Sequence, residues 1–538
     1  VGVVGGEGVG MFVINGTNGA WQDVTLRGVH LHEGLKWLRL VQDFGADAYE
    51  VDQIRFTPST DVHLGSAVDA QDHHDLEGLV SLSAVSHTAV RSGAWSDAAT
   101  WAFGAVPTAG DNVWVPQGTT VAYDVNASVA LRTIRLDGTL RFATSVSTRL
   151  VVDTVVVLRT GAWEQGTATL PVADGVTSTV TFADDGPINR DWDPRVLSRG
   201  LIVHGSASIF GSAKSSFHSL NGVNAGATTL TLDAAPSNWK VGDVIVLTGT
   251  YMTDLTYGKF AFHDEKRTIT AISGSVVTLD TPLQYKHQPP AGSGFKIYVA
   301  NYTRNITFNS ANTDYSSNDQ IQRHGHVMFM HTSNVAVAYA AFNDLGRTNK
   351  GQIVNDPTGV REEGDGQYDE GTGQNSRGRY SLHFHRTGFD PNSAPAVVKG
   401  NAVMGSPGWG YVNHQAYVIF EDNAAYDVDG AAFVEETGDG IGAFRRNIAI
   451  GMKGENPQGE WRANPKLGDL GHAGHGFFFR GNATEAENNV VASAGDYAYA
   501  WNNKHGQPPP RGAEPVPSAA VAHAPAAGNN TDRMGWGD

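Results

Sequence analysis

Two histidines one residue apart, His383 and His385, close the stretch Gly378-Arg-Tyr-Ser-Leu-His-Phe-His. Side chains alternate along an extended segment, so both imidazoles face one side while Leu382 and Phe384 face the other. The apolar pair suits a core, and the imidazole pair suits acid–base work or a metal. A third histidine, His414, and two adjacent acids, Glu435 and Glu436, follow at intervals set by a repeat.

Three segments align: Gly408-Trp-Gly-Tyr-Val-Asn-His414, Gly430-Ala-Ala-Phe-Val-Glu-Glu436 and Gly474-His-Gly-Phe-Phe-Phe-Arg480. Their first glycines stand 22 and then 44 residues apart. A second ladder runs through Asn401, Asn423, Asn447 and Asn489. Short segments rich in Val, Phe, Tyr and Ala, punctuated by Asn and Gly at this period, predict a solenoid of strands. The expected fold is all-β, a right-handed parallel β-helix, with stacked Asn side chains at its turns. A glycine count of 64 in 538 residues agrees with it.

Equivalent positions of successive coils lie one strand spacing apart, about 4.8 Å. The alignment therefore stacks His414, Glu436 and Arg480 in one column, and Asn413, Glu435 and Phe479 in the next. Trp409, Tyr411 and His475 fall in the same coils, and rings among polar groups suit a sugar-binding groove. Trp409, Tyr411, His475, Arg480 and Glu435 are thus the substrate-contact candidates.

Bulk properties narrow the partner. There is no cysteine, which removes thiolate catalysis and Cys-ligated zinc. No apolar run is long enough to span a membrane. The net charge of −17 makes nucleic acid a poor partner. Arg377, Arg379, Arg386, Arg445, Arg446, Arg462 and Arg480 nonetheless gather near the column in sequence, as a polyanionic sugar would require. The first residues, VGVVGGEGVG, show no charged leader, and the expectation is a mature form or a fragment.

Along the chain, residues 1–58 carry Asn15-Gly-Thr-Asn-Gly-Ala-Trp21 and Gly34-Leu-Lys-Trp37. They resemble half of a β-sandwich carbohydrate-binding module of families six and thirty-five. A polar linker is expected over 59–91. The Gly/Pro/Trp series Gly93-Ala-Trp95, Trp101, Gly104, Pro107, Gly110-Asp-Asn-Val113 and Pro116-Gln-Gly118 resembles the G-eight domain, an all-β module, over 92–215. A small β unit follows over 216–300, then the β-helix over 301–505 and a Pro/Ala-rich tail over 506–538. Within the β-helix, residues 349–376 read as a long loop over the groove.

The order Arg304-Asn-Ile-Thr, Gly325-His-Val-Met-Phe, Gly378-Arg-Tyr-x-x-His-Phe-His and Gly430-Ala-Ala-Phe-Val-Glu-Glu is similar to the solenoid of the transmembrane and cell-migration-inducing hyaluronidases. Asn413-His-Gln and Glu435-Glu-Thr depart from the Val-His-Gly and Glu-Asp-Gly runs of that family. The resemblance implies a secreted polysaccharide depolymerase, a glycoside hydrolase with hyaluronan as the family substrate. Hydrolysis needs a proton donor and a second carboxylate or activated water, and Glu436 with Glu435 or Asp439 is the favoured set. Adjacent residues face opposite ways, so one of the two glutamates is expected to be structural. A lyase is the alternative, with His383, His385 or His414 as base and Arg379 neutralising a uronate carboxylate. His383, His385 and His414 with Glu436 also suit a divalent transition metal, whereas calcium would prefer Asp427 and Asp429. A non-catalytic glycan-binding scaffold is the rival from another class.

Overall fold

The computed structural model describes residues 67–256, 259–352, 354, 374–454, 470–481 and 483–501, with the short pairs Gly2–Val3 and Leu38–Arg39. The carbohydrate-binding-module resemblance, most of the expected groove loop and the tail lie outside the described residues.

Alternation of apolar and polar residues along short strands drives the chain into rungs. The described strands of the solenoid form one 27-stranded sheet whose strand pairings are all parallel. Each full coil has three faces. In one coil the chain runs Ala402–Ser406 on the first face, then Tyr411–Glu421, which bends to serve the second and third. The next coil runs Ala424–Val428, Phe433–Glu435 and Ile441–Arg445. Pairings of residues 22 apart, such as Tyr411 with Phe433, confirm the register read from the repeat.

Inward positions fill the tube with stacked rings. Tyr411, Phe433, Phe477 and Tyr499 lie nearly parallel with centroids 4.8, 4.8 and 5.0 Å apart. Leu382 and Phe384 enter the same core, as the alternation requires. The turn between the third and first faces is held by the Asn ladder. Asn401 Nδ2 donates to Asn423 Oδ1 at 3.0 Å, Asn423 to Asn447 at 3.0 Å, and Asn447 to Asn489 at 3.0 Å. Each oxygen also accepts the backbone N–H of the Asn before it, at 2.9, 3.0 and 2.9 Å.

Two features differ from expectation. Residues 92–215 do not stand beside the β-helix as a separate unit. Their strands, from Gly93–Ala94 to Ser206–Phe210, are the opening coils of the same sheet, because their inward Val, Leu and Trp side chains extend one core. The chain leaves the solenoid after Phe210 and returns at Ile306, and between these points it builds a six-stranded sheet with its own core around Trp239, Ile245 and Val299. Second, the expected linker contains helix α1, Ala67–Leu79. Leu76 and Leu79 share an edge of it and pack on outward-facing Val156, Ile202, Met328 and Met330. Arg195 bonds Asp75 at 2.9 Å and His331 bonds buried Asp72 at 3.0 Å, fastening the helix to the wall. No helix among the described residues is long and apolar enough to cross a membrane.

The ladder gives a direct test. Asn423→Ala strands the backbone N–H and side-chain amide of Asn401 and the carbonyl of Val398, each a buried group costing roughly 1–3 kcal/mol when unmade. Urea unfolding is expected to show a loss of roughly 2–4 kcal/mol, and a change under about 0.5 kcal/mol would contradict the ladder's role.

Candidate active site on one face of the solenoid

The second face stacks β1 (Gly200–Val203), β2 (His326–Met330), β3 (Leu382–Gly388), β4 (Tyr411–Glu421), β5 (Phe433–Glu435) and β6 (Phe477–Phe479). Met330 pairs with His385 and His385 with His414. Asn413 pairs with Glu435 and Glu435 with Phe479. One residue on, the outward row therefore runs Met330, His385, His414, Glu436, Arg480. His383 lies one pleat upstream, aligned with Met328 and Val412. Helix α1 covers the upstream end of this face, and a cluster of Tyr380, Trp409, Val434 and Phe478 covers part of the downstream end. The row changes from methionine to histidine at the coil where the helix cover gives way.

Three imidazoles converge here. Ring centroids are 5.2 Å apart for His383–His385, 4.5 Å for His385–His414 and 5.7 Å for His383–His414. His383 is buried, and its Nδ1 lies 2.8 Å from the Gly378 carbonyl, which can only accept, so Nδ1 carries the proton. Glu436 Oε2 accepts from His414 Nδ1 at 2.9 Å and lies 3.7 Å from His383 Nε2. Burial acts to raise the Glu436 carboxyl, but His414, His383 and Arg377 together outweigh it and hold it at about 2. Burial pushes His383 down to about 4, against the pull of Glu436, and His385 well below its ordinary value. At neutral pH the site holds an ionised carboxylate beside His383 and His385 as neutral imidazoles, a set able to accept, hold or pass a proton.

The other expected site residues are placed differently. Glu435 points inward, as alternation predicts for one of the pair. Its Oε1 accepts from the N–H groups of Thr437, Gly438 and Gly440 at 3.2, 2.7 and 3.1 Å. Burial raises it to about 7 against these bonds, and it shapes the turn instead of meeting substrate. Tyr411 is a core ring whose hydroxyl donates to the Ala424 carbonyl. Trp409 is 3% exposed, stacked on Tyr380 and bonded through Nε1 to Gly471, so it offers no platform to a sugar. His475 is buried between Phe478 and Tyr497. Arg379 cannot serve as the expected neutraliser, because its guanidinium donates to the carbonyls of Val196, Arg377 and Arg195. Arg480 is buried and donates to the Glu436 carbonyl at 3.1 Å, which fixes the end of the row. Asp439 is half-buried and accepts from Gln415, beside His414, at 3.3 Å. Asp427 and Asp429 face Lys453 Nζ at 2.6 and 3.7 Å, so a cationic side chain already occupies the expected calcium ligands.

Sequence reasoning missed the neighbours that extend the site. His204 and His331 end the strands above His385, with ring centroids 5.2 Å apart, and His331 lies 6.1 Å from His385. His73 of α1 meets His204 at 3.2 Å between Nδ1 atoms. Nothing in their spacing marks them, since the helix that brings His73 and Asp72 is far away in sequence. Across the molecule, a cavity of about 540 Å³ lies between the inserted sheet and the solenoid, lined by Lys214, Phe217, Tyr298, Tyr339, Asp422 and Arg446. Its charges are already paired, Arg446 with Asp422 and Lys214 with Asp243. The histidine row is the better candidate, because it alone of the two brings a carboxylate against neutral bases.

Buried neutral imidazoles also set an acid limit on the fold. Burial lowers His324 from 6.5 to about 4. A folded value below the unfolded one means stability is complete above 6.5 and declines as pH falls through about 4. Stability measured by urea unfolding is expected to fall across that window, and His324→Asn should flatten the fall. An unchanged slope in that variant would contradict burial as the cause.

Residues 100–221 match the G8 domain family. A G8 domain-containing protein of Dictyostelium discoideum is 28% identical over 202 residues, covering 37% of this chain and 14% of that protein. A second from the same organism is 24% identical over 354 residues, covering 64% and 22%. The chain thus matches well under half the length of either relative. Among solved structures, tailspike gp49 of Pseudomonas phage LKA1 is 12% identical with a TM-score of 0.15, covering 70% of this chain and 54% of that one. The gp54 tailspike of Acinetobacter baumannii bacteriophage AP22, solved with capsular saccharide, is 11% identical with a TM-score of 0.16, covering 73% and 62%. Likeness that loose carries nothing about this chain, whose fold rests on its own strand pairing. Residues 100–221 carry a G8 domain, and its strands as far as Ser206–Phe210 are opening coils of the solenoid.

Proposed function

We propose that the chain is a secreted enzyme that cleaves an acidic polysaccharide, a hyaluronidase-like glycoside hydrolase working at the His383, His385, His414 and Glu436 row. The observation that carries this reading is the 2.9 Å bond between His414 and an ionised Glu436, made across adjacent coils with two neutral imidazoles beside it. The motif order shared with the hyaluronidases ends on these residues, which supports hyaluronan as the first substrate to test.

In this reading Glu436 stabilises positive charge developing on the sugar ring or on His414. An imidazole takes a proton from the water as its oxygen bonds to the anomeric carbon, the glycosidic bond breaks, and the proton passes to the leaving glycosidic oxygen, with Asp439 as the second carboxylate on the rim. Arg386, next to His385, and Arg377, close enough to lower Glu436, supply positive charge for a uronate. The neutral state of His383 and His385 favours a second reading, elimination, in which an imidazole removes the proton beside the uronate carboxylate and the glycosidic oxygen leaves.

Incubation with hyaluronan, chondroitin, alginate and pectin separates the two. New reducing ends without absorbance from unsaturated uronates are expected for hydrolysis, and both signals for elimination. Glu436→Gln and His414→Ala should each lower kcat/KM by roughly 10²–10⁴, the range of a lost acid–base group. Trp409→Phe, by contrast, should leave it within about threefold, since that ring only packs. Silence on all four polymers would contradict the proposal.

A further inference from the structure

We infer that His383, His385 and His414 form a binding site for one divalent transition-metal ion, with Glu436 and the Gly378 carbonyl as the groups that orient the ligands. The inference concerns metal binding alone and does not require the glycan-cleaving reading to hold.

Donor nitrogens of the three histidines all lie within 4.8 Å of one another. Two of the rings are already set in the manner of metal ligands. A ligating histidine nearly always donates its other N–H to a backbone carbonyl or a carboxylate, which fixes the tautomer and aims the free lone pair at the ion. His383 does this through Nδ1 to Gly378 at 2.8 Å, and His414 through Nδ1 to Glu436 at 2.9 Å. Both Nε2 atoms are thereby committed as the lone-pair side.

Independently, His383 Nε2 and His385 Nδ1 are buried and have no hydrogen-bond partner among the described residues. A buried polar atom left unmade costs roughly 1–3 kcal/mol, and two such atoms on rings whose centroids are 5.2 Å apart call for a common explanation. An ion supplies it.

The donor set selects the class of ion. Imidazole nitrogen suits zinc, copper, nickel or iron, while calcium and magnesium require oxygen. Three histidines leave one position of a tetrahedral ion open, the pattern of catalytic sites and not of closed structural ones. Metal–nitrogen bonds of 2.0–2.1 Å place ligand nitrogens about 3.3 Å apart, closer than the present spread. The ring that must turn is His385, the one not tethered by its second nitrogen.

The test uses the full chain without a histidine tag, stripped with chelator, checked as folded by far-ultraviolet circular dichroism, and reloaded with zinc or cobalt(II) in separate samples. One equivalent is expected to survive gel filtration by elemental analysis, and the cobalt form should show visible ligand-field bands. Calcium should not be retained. His385→Gln, at the solvent side of the row, should abolish retention with the fold intact. Glu436→Gln should weaken binding by roughly 10–100-fold without abolishing it, as loss of an orienting group does. Folded protein that retains no zinc or cobalt, or a His385→Gln variant that retains them like the parent, would overturn the proposal. A loaded protein that cleaves no glycan would leave the metal site standing and remove the catalytic reading. Cleavage by stripped protein that then retains no added zinc or cobalt would do the reverse.

Discussion

Everything in this molecule depends on the parallel register between rungs. Hydrogen bonds between coils fix each residue against its equivalent one strand spacing away, and two internal devices keep that register from slipping. Stacked rings at Tyr411, Phe433, Phe477 and Tyr499 fill the tube, and the chain of amides from Asn401 to Asn489 locks one corner. A slip of one residue would turn every outward histidine into the core and every core ring outward. The site therefore inherits its precision from interactions that never touch it.

That constraint explains how residues scattered over the sequence become a site. His385, His414, Glu436 and Arg480 come from four coils and meet because each holds the same register position on the second face. The two glutamates show the same rule. Glu435 faces in and ties the turn through three backbone N–H groups, while Glu436 faces out to His414. Their environments push them apart, one raised to about 7 and the other held near 2. Divergent carboxyls of this kind come from position in the pleat, not from residue type.

How much was legible follows from range. The alternation around His383-Phe-His385, the 22-residue spacing and the Asn ladder are local or periodic signals, and each appears in the structure where the sequence puts it. The aromatic contacts were not legible, because Trp409, Tyr411 and His475 look alike in a sequence whether they line a groove or fill a core. Arg379 reads as a free cation until the carbonyls of Val196 and Arg195, nearly two hundred residues earlier, are brought to it by the fold. Helix α1 was missed because its apolar edge is short, and its docking depends on Asp72 and Asp75 finding partners more than a hundred residues away. The G8 segment looked separate because its Gly/Pro/Trp turns differ from those of later coils, although its strands obey the same register.

The central claim is that this register builds a ligand-holding centre from His383, His385 and His414 on the outward row. The most direct test is a crystal of zinc-loaded protein, with diffraction recorded on both sides of the zinc absorption edge. The account predicts one anomalous peak, about 2.0–2.1 Å from a nitrogen of each of the three rings, with Glu436 still bonded to His414. A peak elsewhere, or the three rings bonded to one another through water with no peak between them, would contradict it.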